Sequence, residues 1–311
     1  MKWSRRAVLG ALALTGCGLD PTVSAPSRPA PEPSPDPTQA PEIAESALAV
    51  AALAGVIEVG RTAPEAPAGY AAWADAADAA LGGVAERLGA ADPVAGGEPV
   101  FPAPQPSPSA TATTFGELSP AIASASAAAE AALRAAALAA GNQPLRLLLA
   151  SAACTARSLA AVGPASVDDG ASPRHFQGTT VAASLPIALS HVWALIYGLG
   201  VGLGRLDDDD PLAALGQARL ATAKELRNVL RDALPGQPPT QPAAFDLPTP
   251  MSTADEIRAG WGVLELSVLE GLGRLVAAGG PDSARWLDLM VDQTDDVAAV
   301  GHPLTRWPGW V

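Results

Sequence analysis

The distribution of apolar and charged residues along the chain predicts an all-helical protein. From Glu42 onward, apolar-rich segments of helical length alternate with breaks rich in proline and glycine. β-branched residues never alternate with polar ones over a useful length, so no segment predicts a strand. The helical segments fall at about 42–59, 67–89, 118–140, 143–162, 180–205, 210–233, 253–279 and 281–299.

A helical hairpin over 185–233 is the part around which we expect the second half to be built. Its first arm, from Leu185 to Gly204, has twenty residues without a formal charge, a length that suits a membrane span. Its proline, serine and four glycines, and its amphipathic neighbours, favour a buried central helix instead. The second arm places leucines at helical spacing and leaves its charged residues, Arg219 among them, for the solvated side.

Four consecutive aspartates, 207–210, separate the two arms of this hairpin. Because Asp210 directly precedes Pro211, we predict that it caps the second helix. A calcium loop is the alternative, although the alternating ligands, central glycine and distal glutamate of such a loop are absent.

The same plan occurs twice in the chain. Each half has two helices, a long proline-rich crossover and two further helices, which close on SLAAVG at 158–163 and on DVAAVG at 296–301. A repeat of this kind predicts two four-helix bundles in tandem. One long crossover is typical of a ferritin-like bundle. The bundles are expected at 42–163 and 180–311, joined by a linker at 164–179 that includes His175 as a surface residue.

The N-terminus has the features of a bacterial export signal. Residues 1–16 combine basic residues with a short apolar run, and Leu14-Thr15-Gly16-Cys17 resembles a lipoprotein lipobox. This resemblance implies lipidation of Cys17, followed by a proline-rich tether over 17–41. An arginine pair in the signal also resembles a twin-arginine signal, so either export route stays open. With Cys17 lipidated, Cys154 has no partner for a disulfide and is predicted to be a small buried residue.

Charge restricts the partners of the protein. The chain has 19 Lys and Arg against 32 Asp and Glu, a net charge of −13. Removal of residues 1–16 takes away Lys2, Arg5 and Arg6, which leaves 16 against 32 and a net charge of −16. An acidic protein repels nucleic acid and anionic lipid headgroups. The expected contacts are therefore the membrane, through the lipid anchor, and an envelope protein or a small ligand.

Several of these features together resemble a known family. They are the signal with its lipobox, the alanine-rich first half, the stretch from His191 to Gly198, the proline-rich crossover and the tail from Pro303 to Gly309. The combination resembles a family of ferritin-like domains of unknown function found in bacterial surface lipoproteins, most closely over 180–310. The resemblance implies a ferritin-like four-helix fold and brings no established activity. The family pattern has an acidic residue just before the histidine, where this chain has Ser190, and this departure weakens a metal site by analogy.

A di-metal site in such a fold needs Glu-x-x-His pairs as well as further carboxylates. The residues three positions before His175, His191 and His302 are Ser172, Ala188 and Ala299, so no such pair exists. We therefore expect no cofactor. The remaining candidates for iron or manganese are scattered carboxylates of the second half, namely Glu225, Glu265, Glu270, Asp288 and Asp292.

Asp288, Asp292 and Asp295 lie at i, i+4 and i+7 on one predicted helix. This spacing aligns three carboxylates in one stripe. The stripe is either a solvated face or an all-carboxylate site for a hard cation.

Tryptophans supply the candidate pocket. Trp193, Trp261 and Trp286 fall on three of the four helices of the second bundle, and His191 is the one histidine expected inside it. They either pack as a core or hold a small apolar ligand between them. Trp307 and Trp310 are expected to fold back over the end of the bundle, or else to form a partner-binding patch.

The leading functional hypothesis is a non-catalytic, membrane-anchored binding module on the outer face of the cell membrane. No nucleophile elbow or phosphate-binding loop occurs in the sequence, so an enzyme activity has little support. The alternative is a metal-binding oxidoreductase or metal-storage protein with divergent carboxylate ligands. A third hypothesis, a structural spacer, predicts self-association and no pocket.

Overall fold

The computed structural model describes residues 38–104, 114–168, 173, 176–207 and 209–310. In these residues the regular structure is helical, with isolated bridges and no strand, which confirms the all-helical prediction. The predicted signal, Cys17 and His175 lie outside the described residues. The α-helices are α1 (Pro41–Val59), α2 (Tyr70–Gly89), α3 (Phe115–Ala139), α4 (Gln143–Ser158), α5 (Val181–Leu203), α6 (Pro211–Asp232), α7 (Ala254–Ala278) and α8 (Ser283–Ala299).

Local sequence signals fix most of the helix starts. The Asp210 carboxylate accepts a hydrogen bond from the Leu212 amide at 2.8 Å, which confirms the predicted cap of α6. Helix α3 begins three residues before the predicted position 118. Helix α3 begins at Phe115, where Thr114 forms a capping box with Glu117, and the Ser119-Pro120 pair lies within its second turn. The two side-chain hydrogen bonds of a capping box satisfy two backbone N–H groups at the helix start. Proline is accommodated at the first helical position but supplies no such hydrogen bond.

The helices pack in the same order in both halves. Helix α1 packs on α2 and α3, and α3 on α4; likewise α5 packs on α6 and α7, and α7 on α8. In each half a long connection joins the second helix to the third, and these two are not principal packing partners. A Cβ added at Gly60 would lie 2.7 Å from Leu118, and one at Gly202 would lie 2.8 Å from Ile257. The end of the first helix therefore meets the start of the third in both halves, so these helices are antiparallel.

The buried positions also recur between the halves. In α1 and α5 they lie 142 residues apart, as in Val50 and Val192. In the other three helix pairs they lie 139 residues apart. Examples are Ala77 and Gly216, Leu118 and Ile257, and Leu148 and Leu287.

The two halves contact each other through α4. The described residues from 38 to 310 form one compact unit, in which α4 packs on both α7 and α8. The Cys154 thiol is fully buried, as predicted, and lies 3.7 Å from the Met290 carbonyl oxygen. Burial raises the pKa of this thiol well above its ordinary range. Because contacts of this kind join the halves, we expect them to unfold together.

Three helical segments are long and apolar enough to cross a membrane: Pro41–Thr62, Phe115–Ala139 and Val181–Leu203. The last of these is the first arm of the predicted hairpin. Half of its most apolar window is buried inside the protein, against α6 and α7. The length and composition of this helix therefore suit a membrane span, while half of its most apolar window is in contact with other helices.

Candidate functional site

A buried ion pair lies at the centre of the second half. Arg219 on α6 is 6% exposed and Glu265 on α7 is fully buried. The Arg219 Nε and one of its terminal nitrogens each donate to a Glu265 oxygen at 2.8 Å. This two-point geometry is the strongest arrangement for a guanidinium and a carboxylate. Arg219 was predicted to lie on the solvated side of its helix, and that prediction is wrong.

Gln293 on α8 and Thr222 on α6 complete this polar network. The Gln293 amide nitrogen donates to Glu265 at 2.6 Å, and its oxygen accepts from Arg219 at 3.1 Å. The Thr222 hydroxyl accepts from Arg219 at 2.8 Å. The network therefore links three helices and satisfies both carboxylate oxygens of Glu265.

A cleft opens above this network between α6 and α8. Its larger part has a volume of about 260 Å³, and a smaller part of about 140 Å³ continues on the other side of Arg219 and Asp296. Three carboxylates line the larger part, those of Glu225, Asp292 and Asp296. Leu226, Val229 and Leu289 form its apolar wall. The cleft is thus open to solvent, acidic at its rim and apolar along one side.

Asp296 is the carboxylate closest to the network. One of its oxygens lies 3.3 Å from an Arg219 nitrogen. Burial raises the pKa of Asp296 to about 6, and the nearby charges of Glu265, Asp295 and Asp292 add to this rise, while Arg219 opposes it. The pKa of Asp296 therefore lies close to neutral pH.

The carboxylates proposed from the sequence as weak metal ligands do not converge. Glu225 and Asp292 line the cleft, and Glu265 lies beneath it. Asp288 instead pairs with Arg134 of α3. Glu270 is half-buried and has a pKa raised by burial. Within the part of the chain that the structure describes, no group of three or more histidine, cysteine or acidic side chains could hold a metal ion.

The aspartate stripe of α8 divides between two environments. Asp288 and Asp295 pair with Arg134 and Arg157 of the first half, the latter pair at 2.7 Å. Asp292 lines the cleft. Successive residues rotate by about 100° around a helix. Position 292 is therefore turned about 40° from 288, far enough to face α6 instead of α3 and α4.

At the predicted tryptophan pocket, the side chain of Trp261 is packed against neighbouring residues. Its indole nitrogen donates to the Gly198 carbonyl at 3.0 Å, and its ring fills the space above Gly202 and Gly216. Trp286 is fully buried near the start of α8, beside the opposite end of α7, and Trp193 is 5% exposed. No ring contact joins these three side chains among the described residues. A ligand held between them stays a prediction.

His191 is only half-buried, and its pKa is lowered by burial and by the charge of Arg274. Its ring lies close to Gly271 of α7, where an added Cβ would come within 3.1 Å of the ring. In the tail, Trp307 is 5% exposed and Trp310 stacks edge-on to Phe176 at 6.2 Å. The tail therefore folds back on the helices, as predicted.

A second cleft of about 220 Å³ lies between α1 and α2 in the first half. Small apolar residues form most of its lining, and its polar side chains are Gln39 and Asp78. Asp78 is already engaged by Arg61. This cleft therefore offers apolar surface with little polar chemistry to select a ligand.

The first half has small residues where the second half has its polar network. The buried residues 139 positions before Arg219, Glu265 and Gln293 are Ala80, Ser126 and Cys154. The Ser126 hydroxyl donates to the Ala156 carbonyl at 2.6 Å, and no ion pair is present at these positions. Arg219, Gln293 and Asp296 were not predicted as site residues. For Arg219 and Gln293 the sequence carries a signal, because a small residue in the first half is followed by a polar one 139 positions later. Asp296 has no such signal, since the matching residue is Arg157.

The fold and this site define an all-helical protein with an acidic cleft over a buried ion pair. A comparison with known protein families, curated proteins and solved structures finds no match to this chain.

Proposed function

We propose that this protein is a lipid-anchored, non-catalytic binding module of the cell envelope, and that its ligand site is the cleft between α6 and α8. The observation that carries the proposal is the buried Arg219–Glu265–Gln293 network. Burying an ion pair costs desolvation energy, and replacing such a pair by apolar residues is often neutral or stabilising. At the three matching positions the first half has alanine, serine and cysteine, so the helices pack at these positions without a buried ion pair. We attribute the network to ligand binding.

The proposed architecture is two ferritin-like four-helix bundles in tandem. The recurring order of helix contacts, the recurring buried positions and the long connection between second and third helices support it. In this proposal the second bundle holds the ligand, and the first provides a packing partner. Cys17 would carry the lipid, and the proline-rich tether would hold the bundles away from the membrane.

A metal-dependent activity is not favoured by the geometry of Glu265. Both of its oxygens accept hydrogen bonds from Arg219, and one also accepts from Gln293. A metal ion at this position would have to displace a guanidinium. Plasma mass spectrometry of protein expressed with iron and manganese tests this point. About two bound equivalents, lost on Glu265→Gln, would establish the metal site that the oxidoreductase or metal-storage alternative requires.

A blocked-cleft variant tests the binding site itself. Val229→Trp places an indole in the larger part of the cleft without removing any member of the network, and Asn228→Trp places one on the exposed side of the same helix. In a fragment screen by ligand-observed NMR, we expect a subset of compounds to bind the wild type and Asn228→Trp but not Val229→Trp. If every bound compound is retained by Val229→Trp, the cleft is not the ligand site.

The anchor has a separate test. Cells fed labelled palmitate should incorporate the label into the wild-type protein, and Cys17→Ala should lose both the label and the membrane association. Cys154→Ala is the matched control, because that thiol is buried inside the fold. Equal labelling of Cys17→Ala and wild type would overturn the lipoprotein assignment.

A further inference from the structure

The outer face of α7, on the side away from Glu265, has an arginine without a partner. Arg274 is half-buried, and its Nε is shielded from solvent but has no hydrogen-bond partner. Every other buried or half-buried arginine that the structure describes makes a hydrogen bond or an ion pair. Shielded polar atoms without a partner are rare in native proteins, so Arg274 calls for a functional explanation.

His191 of α5 lies beside this arginine. A Cβ added at Gly271 would come within 3.1 Å of the His191 ring, and residue 274 is one turn further along α7. Long side chains on a helix lean toward its N-terminus, which directs the guanidinium of Arg274 back toward position 271. Burial lowers the pKa of His191, and the charge of Arg274 adds to this effect, as expected of neighbouring groups. Within the described chain, the His191 ring makes no hydrogen bond.

Glu270 is the third ionisable group on this face. It lies one turn before Arg274, is half-buried, and forms no ion pair with any described residue. Its pKa is raised by burial alone, so the guanidinium of Arg274 does not neutralise it. Arg274 therefore keeps its donors available, although a carboxylate is only one turn away on the same helix.

The first half has alanine at all three matching positions. The residue 142 positions before His191 is Ala49, and the residues 139 positions before Glu270 and Arg274 are Ala131 and Ala135. Helices α1 and α3 pack on each other with these alanines in place. The packing of two such helices therefore does not require ionisable groups here, and they are specific to the second half.

The available donors define the chemistry of a ligand. The terminal nitrogens of Arg274 are not among the shielded atoms, and they donate to no described group. Two such nitrogens match two oxygens of one carboxylate or phosphate group. A neutral imidazole adds one N–H donor. Ile187, one turn before His191 on the same face of α5, is 37% exposed and offers an apolar contact.

We propose that the face between α5 and α7 binds a small organic oxyanion, a carboxylate or a phosphate ester with an apolar body. Its oxygens accept hydrogen bonds from the terminal nitrogens of Arg274 and from the His191 ring, and its apolar part lies against Ile187. This site is separate from the α6–α8 cleft, because position 274 is turned about 180° around α7 from Glu265.

Isothermal titration of the purified full-length protein with three probes tests the ligand class. Benzoate and phenyl phosphate are the anionic probes, and benzyl alcohol is the neutral probe. We expect at least one anion to bind at least about tenfold more tightly than benzyl alcohol at pH 6. The tighter of the two anions identifies the ligand group as a carboxylate or a phosphate.

Variants locate the site. Arg274→Gln should weaken anion binding by at least about tenfold, whereas Arg258→Gln, at an exposed arginine of the same helix, should leave it unchanged. Glu270→Gln should strengthen anion binding, because it removes a negative charge one turn away. Circular dichroism of each variant confirms that the helices are retained.

Proton NMR of the histidines gives a readout in the wild-type protein. A bound anion offsets the charge of Arg274, so the pKa of His191 should rise when benzoate is added. By linkage, benzoate affinity should then increase as the pH is lowered from 7.5 to 5.5, and protonation of Glu270 acts in the same direction. The His191 signal is identified by its loss in His191→Gln. The pKa of His302, whose ring is bonded to the Pro303 carbonyl, should not change.

Each outcome separates this site from the cleft proposed above. Val229→Trp should leave anion binding unchanged, and its loss in that variant would place the anion in the α6–α8 cleft and overturn this site. Binding retained in Arg274→Gln would also overturn it. Equal binding of benzyl alcohol and the anions would overturn the ligand class. If Arg274→Gln does not fold, the wild-type NMR titration decides, and an unchanged His191 pKa at saturating benzoate and phenyl phosphate overturns the inference.

Discussion

At the scale of single residues, Arg219 and Glu265 have the largest consequence. Each is buried, and each satisfies most of the polar atoms of the other. Removing one partner leaves an uncompensated charge in the interior, whereas removing both leaves only a change of packing. The free energies of the single and double variants should therefore differ strongly from additivity.

We expect Arg219→Met to lower the free energy of unfolding by about 3–5 kcal/mol, because Glu265 is left unpaired. The double variant Arg219→Met/Glu265→Met should lose less than Arg219→Met alone. Chemical denaturation followed by circular dichroism measures both. Arg231→Met, at an exposed arginine of the same helix, should change stability by less than about 0.5 kcal/mol. If the double variant lost as much stability as Arg219→Met and Glu265→Met lose together, the result would contradict the ion pair described here.

Asp296 gives stability a pH dependence of defined sign. Its pKa is about 6 in the folded protein against an ordinary value of 3.8, so the folded state holds the proton more tightly than the unfolded state. This contribution to stability is fully present below pH 3.8 and is lost as the pH rises through 6. Asp296→Asn mimics the protonated form and should become more stable relative to wild type as the pH rises from 4 to 7.5.

Denaturation midpoints of both proteins across this pH range measure the difference. The effect should be modest, because the Asp296 side chain is 37% exposed and solvent screens its charge. Asp232→Asn, an exposed carboxyl at the end of α6, is the control for the loss of one charge. A pH-independent difference between Asp296→Asn and wild type would show that the pKa of Asp296 is ordinary.

At the scale of elements, the glycines of α5 allow close approach of α6 and α7. A Cβ at Gly202 would lie 2.7 Å from the Trp261 ring and 2.8 Å from Ile257, whereas one at Gly200 would meet no atom within 4 Å. The Trp261 ring cannot move away freely, because its nitrogen is bound to the Gly198 carbonyl. Gly202 is therefore required for the close packing of α5 on α7, whereas Gly200 is not.

We expect Gly202→Ala to destabilise the protein by about 1–3 kcal/mol through overpacking. Gly200→Ala should instead stabilise it by up to about 1 kcal/mol, because alanine restricts the unfolded chain and favours the helix. Thermal and chemical denaturation of the pair provide the measurement. If both variants gain stability, α5 and α7 do not pack as closely as described.

At the scale of the whole molecule, ion pairs and packing join the two halves. Glu130, 8% exposed, accepts hydrogen bonds from Arg134 and Arg157, and these arginines extend to Asp288 and Asp295 of α8. The pairs with Asp288 and Asp295 are exposed on the side of the carboxylate, and exposed pairs contribute little by themselves. The apolar contacts of α4 with α7 and α8 therefore carry most of the coupling.

This coupling predicts that a destabilising substitution in one half also lowers the stability of the other half. In a Trp3→Phe/Trp73→Phe background, the remaining tryptophans lie from residue 193 onward and report on the second half. Leu133→Ala, in the core of α3, should cost about 2–5 kcal/mol and lower the midpoint of that fluorescence signal. Leu138→Ala, at a residue of α3 that is 46% exposed, is the control. An unchanged fluorescence midpoint in Leu133→Ala would show that the halves unfold independently.

The sequence by itself determined the helices and their order. Alanine-rich segments, proline and glycine breaks and caps such as Asp210 act over a few residues, so their effect is visible without the fold. The internal repeat was also visible, because closing motifs and crossovers recur at similar positions. These features are local or periodic, and periodic patterns survive in one dimension.

Only the tertiary structure decided which charged residues are inside. Arg219 reads as a solvated residue on an amphipathic helix, yet it is buried because Glu265 and Gln293 come from two helices more than 40 residues away and satisfy its donors. Asp288 and Asp292 read as one stripe, yet a rotation of about 40° directs them to different neighbours. Burial of a charge depends on partners from distant segments, and those partners are known only once the helices have packed.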